Sequence, residues 1–88
     1  MTGQMDFKDL NSDETLQHAL AWISEYIQGA MLNKEKSVTF TFKPTEDNSL
    51  IDIFDFTQKI KDTLRAYDFT TWCVLDNKNE IVIMKIMV

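Results

Sequence analysis

The stretch "EIVIMKIMV" (residues 80–88) decides which fold this sequence predicts. A strand that is covered on one face only alternates apolar and polar residues, but this stretch is apolar on both faces and is interrupted only by Lys85. Apolar character on both faces is typical of a strand in the middle of a sheet. We therefore expect this strand to have a neighbour on each side.

Two other stretches supply these neighbours. "SVTFTFK" alternates regularly, with Val38, Phe40 and Phe42 facing one way, and Pro44 ends the strand. "FTTWCVL", "DNKN" and the terminal stretch together predict a β-hairpin with a turn of about four residues. If the terminal strand lies between the other two, it runs antiparallel to both, and the connection between them crosses over through a helix.

Two segments have the apolar spacing of amphipathic helices, "NSDETLQHALAWISEYIQGAML" and "TEDNSLIDIFDFTQKIKDTLRAY". Asn11 or Ser12 is the expected cap of the first helix, and the second begins between Thr45 and Ser49. The expected buried positions are Leu16, Ala19, Leu20, Ile23, Ile27, Ala30 and Met31 in the first helix, and Leu50, Ile53, Phe54, Thr57, Ile60 and Leu64 in the second, with Phe56 and Tyr67 at its edge.

These elements predict one small α+β domain over residues 1–88, with the element order α-β-α-β-β. It is a two-layer α/β sandwich in which two helices pack on one face of a mixed or antiparallel sheet of three or four strands. Residues 1–11 are either flexible or a short extra N-terminal strand at the sheet edge, because "MDFKD" (residues 5–9) alternates apolar and charged residues.

The predicted hairpin has one wholly apolar face, which we assign to the helices. Its members are Trp72, Val74, Val82, Met84, Ile86 and Val88. The other face includes Thr71, Cys73 and Lys85 and is expected to be the more exposed one. Its apolar excess predicts a contact surface, covered by the N-terminal segment through Met5 and Phe7, by a second copy of the chain, or by another protein. The predicted interface residues are Phe69, Leu75, Ile81, Ile83, Lys85 and Met87.

The charge balance narrows the classes of partner. Nine Lys and Arg face fourteen Asp and Glu, a net charge of −5. Nucleic acid and anionic membranes are therefore not expected partners, since both require clustered basic residues, whereas a basic protein is compatible. A single cysteine, no apolar run of about 20 residues and no signal-peptide pattern lead us to expect a cytoplasmic protein.

The residues that carry chemistry are too few for a site. His18 and Cys73 are the only histidine and the only cysteine, so one chain cannot supply the ligands of a zinc ion. A glycine-rich phosphate loop is also missing, because Gly3 and Gly29 stand alone. We expect no catalytic residue, no metal and no cofactor.

The remaining hypothesis is a non-enzymatic protein-binding domain. Small acidic domains of this kind include inhibitors, immunity proteins and adaptors of bacteria and phages that occlude a basic protein partner, by analogy of size and charge alone. The alternatives are a homodimeric structural or regulatory domain that uses the exposed sheet face, and an enzyme whose site is shared between chains. The residues expected to bind a basic partner are Glu46, Asp47, Ile51, Asp52, Asp55 and Asp62.

Overall fold

The computed structural model describes residues 2–5, 10 and 12–88. Its elements confirm the predicted order and the additional N-terminal strand. They are β1 (Thr2–Met5), α1 (Asp13–Leu32), β2 (Ser37–Phe42), α2 (Leu50–Ala66), β3 (Thr71–Asp76) and β4 (Ile81–Met87).

The sheet has the strand order β1-β2-β4-β3, so the terminal strand does lie between two others. β4 runs antiparallel to both β2 and β3. β1 pairs in parallel with β2 at the sheet edge and begins before the "MDFKD" stretch in which a strand was predicted. Its backbone therefore extends the sheet sideways and does not lie across a face. Phe7, the other residue considered as a cover, lies outside the described residues.

Both helices begin at a serine cap. The Ser12 side chain accepts a hydrogen bond from the backbone N–H of Glu14 at 3.2 Å, whereas the alternative cap, Asn11, lies outside the described residues. In α2, Ser49 accepts from the N–H of Asp52, and the Asp52 carboxylate accepts from the N–H of Ser49 in return. This capping box fixes the start of α2 and gives Asp52 a structural task.

Both helices end in Schellman motifs that lack glycine. The N–H of Glu35 donates to the carbonyl of Ala30 at 2.8 Å, and the N–H of Phe69 donates to the carbonyl of Leu64 at 3.0 Å. The residue before each donor adopts the left-handed conformation. It is Lys34 after α1 (φ 57°) and Asp68 after α2 (φ 68°). The second motif turns the chain directly from α2 into β3.

The core lies between the helices and one face of the sheet. Phe40 in β2 is fully buried, with its ring 5.2 Å from that of Trp22 and 5.5 Å from that of Tyr26 in α1. α2 packs on β3 and β4, and its Thr57 carbonyl lies 3.7 Å from the Cys73 thiol. Both helices are thus on the same side. Three cross-strand rows face them: Val38–Ile86–Thr71, Phe40–Met84–Cys73 and Phe42–Val82–Leu75.

Two helix positions are more exposed than predicted. Met31, expected to be buried, is 53% exposed, and Tyr67, expected at the edge of the buried side, is 73% exposed. Both line a groove of about 600 Å³ that runs along α1 and the C-terminal end of α2, which leaves both side chains partly open to solvent.

The side chains of β3 point the opposite way to the prediction. The turn at residues 77–80 has four residues, and it pairs Leu75 with Val82 and Val74 with Ile83. A turn with an even number of residues pairs even positions with odd ones, whereas the prediction placed Val74 and Val82 on one face. Residues on the helix side are therefore Phe69, Thr71, Cys73 and Leu75, and those on the other side are Trp72 and Val74.

Phe69 has a further reason to face the helices. It is the residue whose N–H closes the Schellman motif of α2, and its ring lines the same groove as Leu20 and Leu64. A contact between this position and the last turn of the helix commonly accompanies the motif. Phe69 is consequently not part of the exposed sheet face.

Thr71 is expected to be a site of easy stabilisation. It is 6% exposed in an apolar row, and its hydroxyl oxygen has no hydrogen-bond partner among the described residues. An unpaired buried hydroxyl costs about 1–3 kcal/mol, so Thr71→Val should raise the free energy of unfolding by about 1 kcal/mol. Urea unfolding followed by circular dichroism measures this difference.

Thr57→Val is the matched control. Thr57 is equally buried, but its hydroxyl donates to the Phe54 carbonyl at 2.7 Å. The same substitution there should lower the free energy of unfolding by about 0.5–1.5 kcal/mol. Equal effects at the two positions would show that the Thr71 hydroxyl is satisfied.

Candidate functional site

The sheet face turned away from the helices carries an apolar patch, which we name the open face. Its cross-strand rows are Trp72–Lys85–Thr39, Val74–Ile83–Thr41 and Asp76–Ile81, and Met87 follows beside Ser37. Trp72 is 50% exposed and Val74 is 55% exposed, while Ile81, Ile83 and Met87 are half-buried. A large aromatic ring beside aliphatic side chains gives this face the character of a protein-contact surface.

Trp72 and Val74 are the exposed apolar residues of the open face that the sequence prediction missed. Of the six predicted sheet-face residues, Ile81, Ile83, Lys85 and Met87 do lie on the open face, and Phe69 and Leu75 do not. The predicted turn length already contained the signal, because any even turn pairs even positions of β3 with odd positions of β4 and would have placed Val74 on the same face as Ile81 and Ile83.

Asp76 lies at one end of the open face and is held by the hairpin turn. Its carboxylate accepts hydrogen bonds from the N–H groups of Lys78 and Asn79, both at 3.1 Å, and from the Asn79 side-chain amide at 2.8 Å. These hydrogen bonds, those from Asn79 first, lower the pKa of the Asp76 carboxyl below its usual value. The open face thus carries a fixed carboxylate at this end and the Lys85 ammonium two rows away.

The second candidate is the acidic surface, defined as Glu46, Asp47, Ile51, Asp52, Asp55 and Asp62. All six residues are exposed. Ile51, Asp55 and Asp62 are spaced four and seven residues apart, which places them on the side of α2 opposite its buried Ile60 and Leu64. Ile51 is 57% exposed, an isolated apolar side chain among carboxylates.

The negative charge of this surface is concentrated at its N-terminal end. Glu46 and Asp47 precede α2, and Asp52 and Asp55 occupy its first two turns. Asp62 has Lys59 three residues before it and Arg65 three residues after it, and their charges offset its own. Asp47, Asp52 and Asp55 also line a cleft of about 310 Å³ beside Leu10 and Lys59.

The two candidate surfaces lie on opposite sides of the molecule. The acidic surface is on the outer side of the helix layer, and the open face is on the outer side of the sheet layer. One compact partner therefore cannot cover both surfaces.

The residue types that carry metal binding and nucleophilic chemistry are widely separated on the described part of the chain. Within them, His, Cys, Asp and Glu form no group of three that could hold a metal ion. His18 is exposed on α1. Burial raises the pKa of the Cys73 thiol, which keeps it protonated and poorly nucleophilic at neutral pH.

Among the described residues, the helices are too short or too polar to span a bilayer. No family model, no curated protein and no solved structure matches this chain.

Proposed function

We propose that this chain is a small acidic, non-enzymatic protein-binding domain that occludes a basic protein partner. The observation that carries the proposal is the exposed Ile51 in the first turn of α2, with Asp52 next to it, Asp55 one turn further on, and Glu46 and Asp47 in the segment just before the helix. An apolar anchor within a rim of charge is the arrangement that dominates the energy of many protein interfaces.

The local structure supports such a contact. The capping box of Ser49 and Asp52 holds the first turn of α2, so the acidic surface is presented without a folding step. Preorganised surfaces lose less conformational entropy on binding, and clustered charge of one sign accelerates association with a partner of the opposite sign. Inhibitors, immunity proteins and adaptors of bacterial or phage origin are the classes that this combination of size, charge and mechanism fits.

Asp55→Lys is the cleanest test of the electrostatic part. Asp55 is exposed and lies outside the capping box, whereas a change at Asp52 would also weaken the start of α2. We expect Asp55→Lys to slow association with the basic partner by roughly tenfold at low salt, and to flatten its salt dependence. Ile51→Asp should weaken the complex at least tenfold by removing the anchor.

The experiment compares four immobilised proteins exposed to the same bacterial lysate, with quantitative mass spectrometry of what each one retains. They are the wild type, Ile51→Asp, Asp55→Lys and Glu25→Lys. Glu25 is exposed on α1, so its variant has the same change in net charge at a different surface. A basic protein retained by the wild type and Glu25→Lys, and lost from the other two, supports the proposal. If each retained protein survives all the substitutions, or is lost equally from the Glu25 variant, the acidic surface is not the binding surface.

A further inference from the structure

The structure has a second contact surface that the proposed function leaves unused. The open face carries Trp72, Val74, Ile81 and Ile83 on the layer that no described helix covers. The acidic surface is on the opposite side of the molecule, so a partner bound there leaves the open face uncovered. We propose that the open face binds a second copy of the same chain, face to face, through a two-fold axis. This inference does not depend on the proposed function.

The pattern of side chains on the open face is self-complementary. Along the hairpin, the Val74–Ile83 row lies midway between the Trp72–Lys85 row and the Asp76–Ile81 row. A two-fold axis that lies in the interface, perpendicular to the strands and through the middle row, reverses the order of rows in the partner. The Lys85 row of one copy then lies over the Asp76 row of the other, and the middle rows lie over each other.

The dimensions allow the charges to meet. Stacked sheets lie about 10 Å apart, and neighbouring strands lie about 4.8 Å apart. The long Lys85 side chain can span both distances and reach Asp76 of the second copy, which lies on the strand next to the one directly opposite. The aliphatic stem of Lys85 would cover Ile81 of the second copy. The Trp72 ring lies in the same row as Lys85 and would cover the same Asp76–Ile81 row of that copy. Each dimer gains two such Lys85–Asp76 pairs, because the axis duplicates every contact.

The area of the open face predicts a weak dimer. Four strands about 4.8 Å apart and about six residues long give a face of roughly 20 by 20 Å. Stacking two such faces buries roughly 1,000 Å² in total, just below the range of about 1,200–2,000 Å² for stable specific interfaces. We expect a dissociation constant of about 1–100 μM. The two helix layers would then lie on the outside, each with its acidic surface free.

The mass in solution tests the dimer directly. Sedimentation equilibrium between about 1 and 300 μM should show a monomer passing to a dimer. Val74→Lys places two like charges across the axis, and Ile83→Thr removes apolar contact from the middle of the sheet; each should raise the dissociation constant at least tenfold. Gln28→Lys, with the same change in charge on the exposed side of α1, should leave the dissociation constant unchanged. Circular dichroism verifies that every variant is folded.

Two further measurements are independent of the apolar substitutions. Asp76→Asn keeps an oxygen for the turn hydrogen bonds, and Lys85→Met keeps the stem; each should weaken the dimer about threefold or more, and the double variant should be no weaker than the worse single one. In Trp22→Phe, Trp72 is the only tryptophan left, and dilution from about 300 to 1 μM should shift its emission to longer wavelength.

Two results would overturn this inference. One is a monomer at every concentration with unchanged Trp72 emission. The other is a dimer that Val74→Lys and Ile83→Thr leave intact, which would assign self-association to another surface such as the free edge of β3. Neither result bears on retention of a basic protein by the acidic surface, so the two proposals fail separately.

Discussion

Phe40→Ala should lower the free energy of unfolding by about 3–5 kcal/mol, the range for removing a fully buried aromatic ring. Phe40 is 0% exposed, occupies the middle row of the helix-facing side, and contacts the rings of Trp22 and Tyr26. Small domains have about 5–15 kcal/mol of stability in total, so this one substitution removes a large share. Urea unfolding followed by circular dichroism measures the loss.

Two variants keep this prediction open to refutation. Phe40→Leu should lose less, about 1–2 kcal/mol, and gives a measurable transition if the alanine variant does not fold. Thr41→Ala changes the next residue of β2, which faces the open side, and should cost about 1 kcal/mol or less. A loss at Phe40 no larger than that at Thr41 would show that α1 does not pack on this strand.

Leu75→Asp should destabilise the fold by roughly 2–4 kcal/mol, because it places a carboxylate between the sheet and the helices without a partner. Leu75 packs against the core and pairs with Val82 on the helix side. Val74→Asp changes the adjacent residue, which is 55% exposed on the open face, and should cost about 1 kcal/mol or less. The two unfolding curves, recorded at about 1 μM to keep the proposed dimer dissociated, decide which way β3 faces.

A reversed ranking would restore the face assignment predicted from the sequence. Equal losses at both positions would show that β3 is covered on both sides and would remove the open face as a contact surface. The expected ranking leaves Trp72 and Val74 free for a partner.

The central position of β4 was predictable because its two-faced apolar pattern has a direct physical cause, a neighbour on each side. The side of the sheet on which each β3 side chain lies was predicted wrongly. Trp72 and Val74 are apolar yet exposed, and apolar content alone had assigned them to the core. Turn parity was the more reliable guide, since the pleat fixes it without regard to side-chain chemistry.

β1 shows a different limit. "TGQM" has no alternating pattern, because most of what defines this strand is the backbone of β2 alongside it. On the acidic surface, the prediction that Ile51 lies on the charged side of α2 agrees with its 57% exposure, since helical spacing over a long segment is a strong signal. Its task in binding stays a prediction, because spacing places a side chain and does not reveal what meets it.

The strand order also dictates when the sheet can form. β4 joins β2 to β3, yet it comes after both in the chain, and Phe40 must wait for Met84 before the two can pair. During synthesis β2 and β3 are made before the strand that pairs with both of them. Until β4 follows, their inner edges are unpaired and their apolar side chains are exposed. β3 and β4 can pair locally through their four-residue turn, whereas the inner edge of β2 stays unpaired until β4 has been made, and an exposed strand edge of this kind favours aggregation.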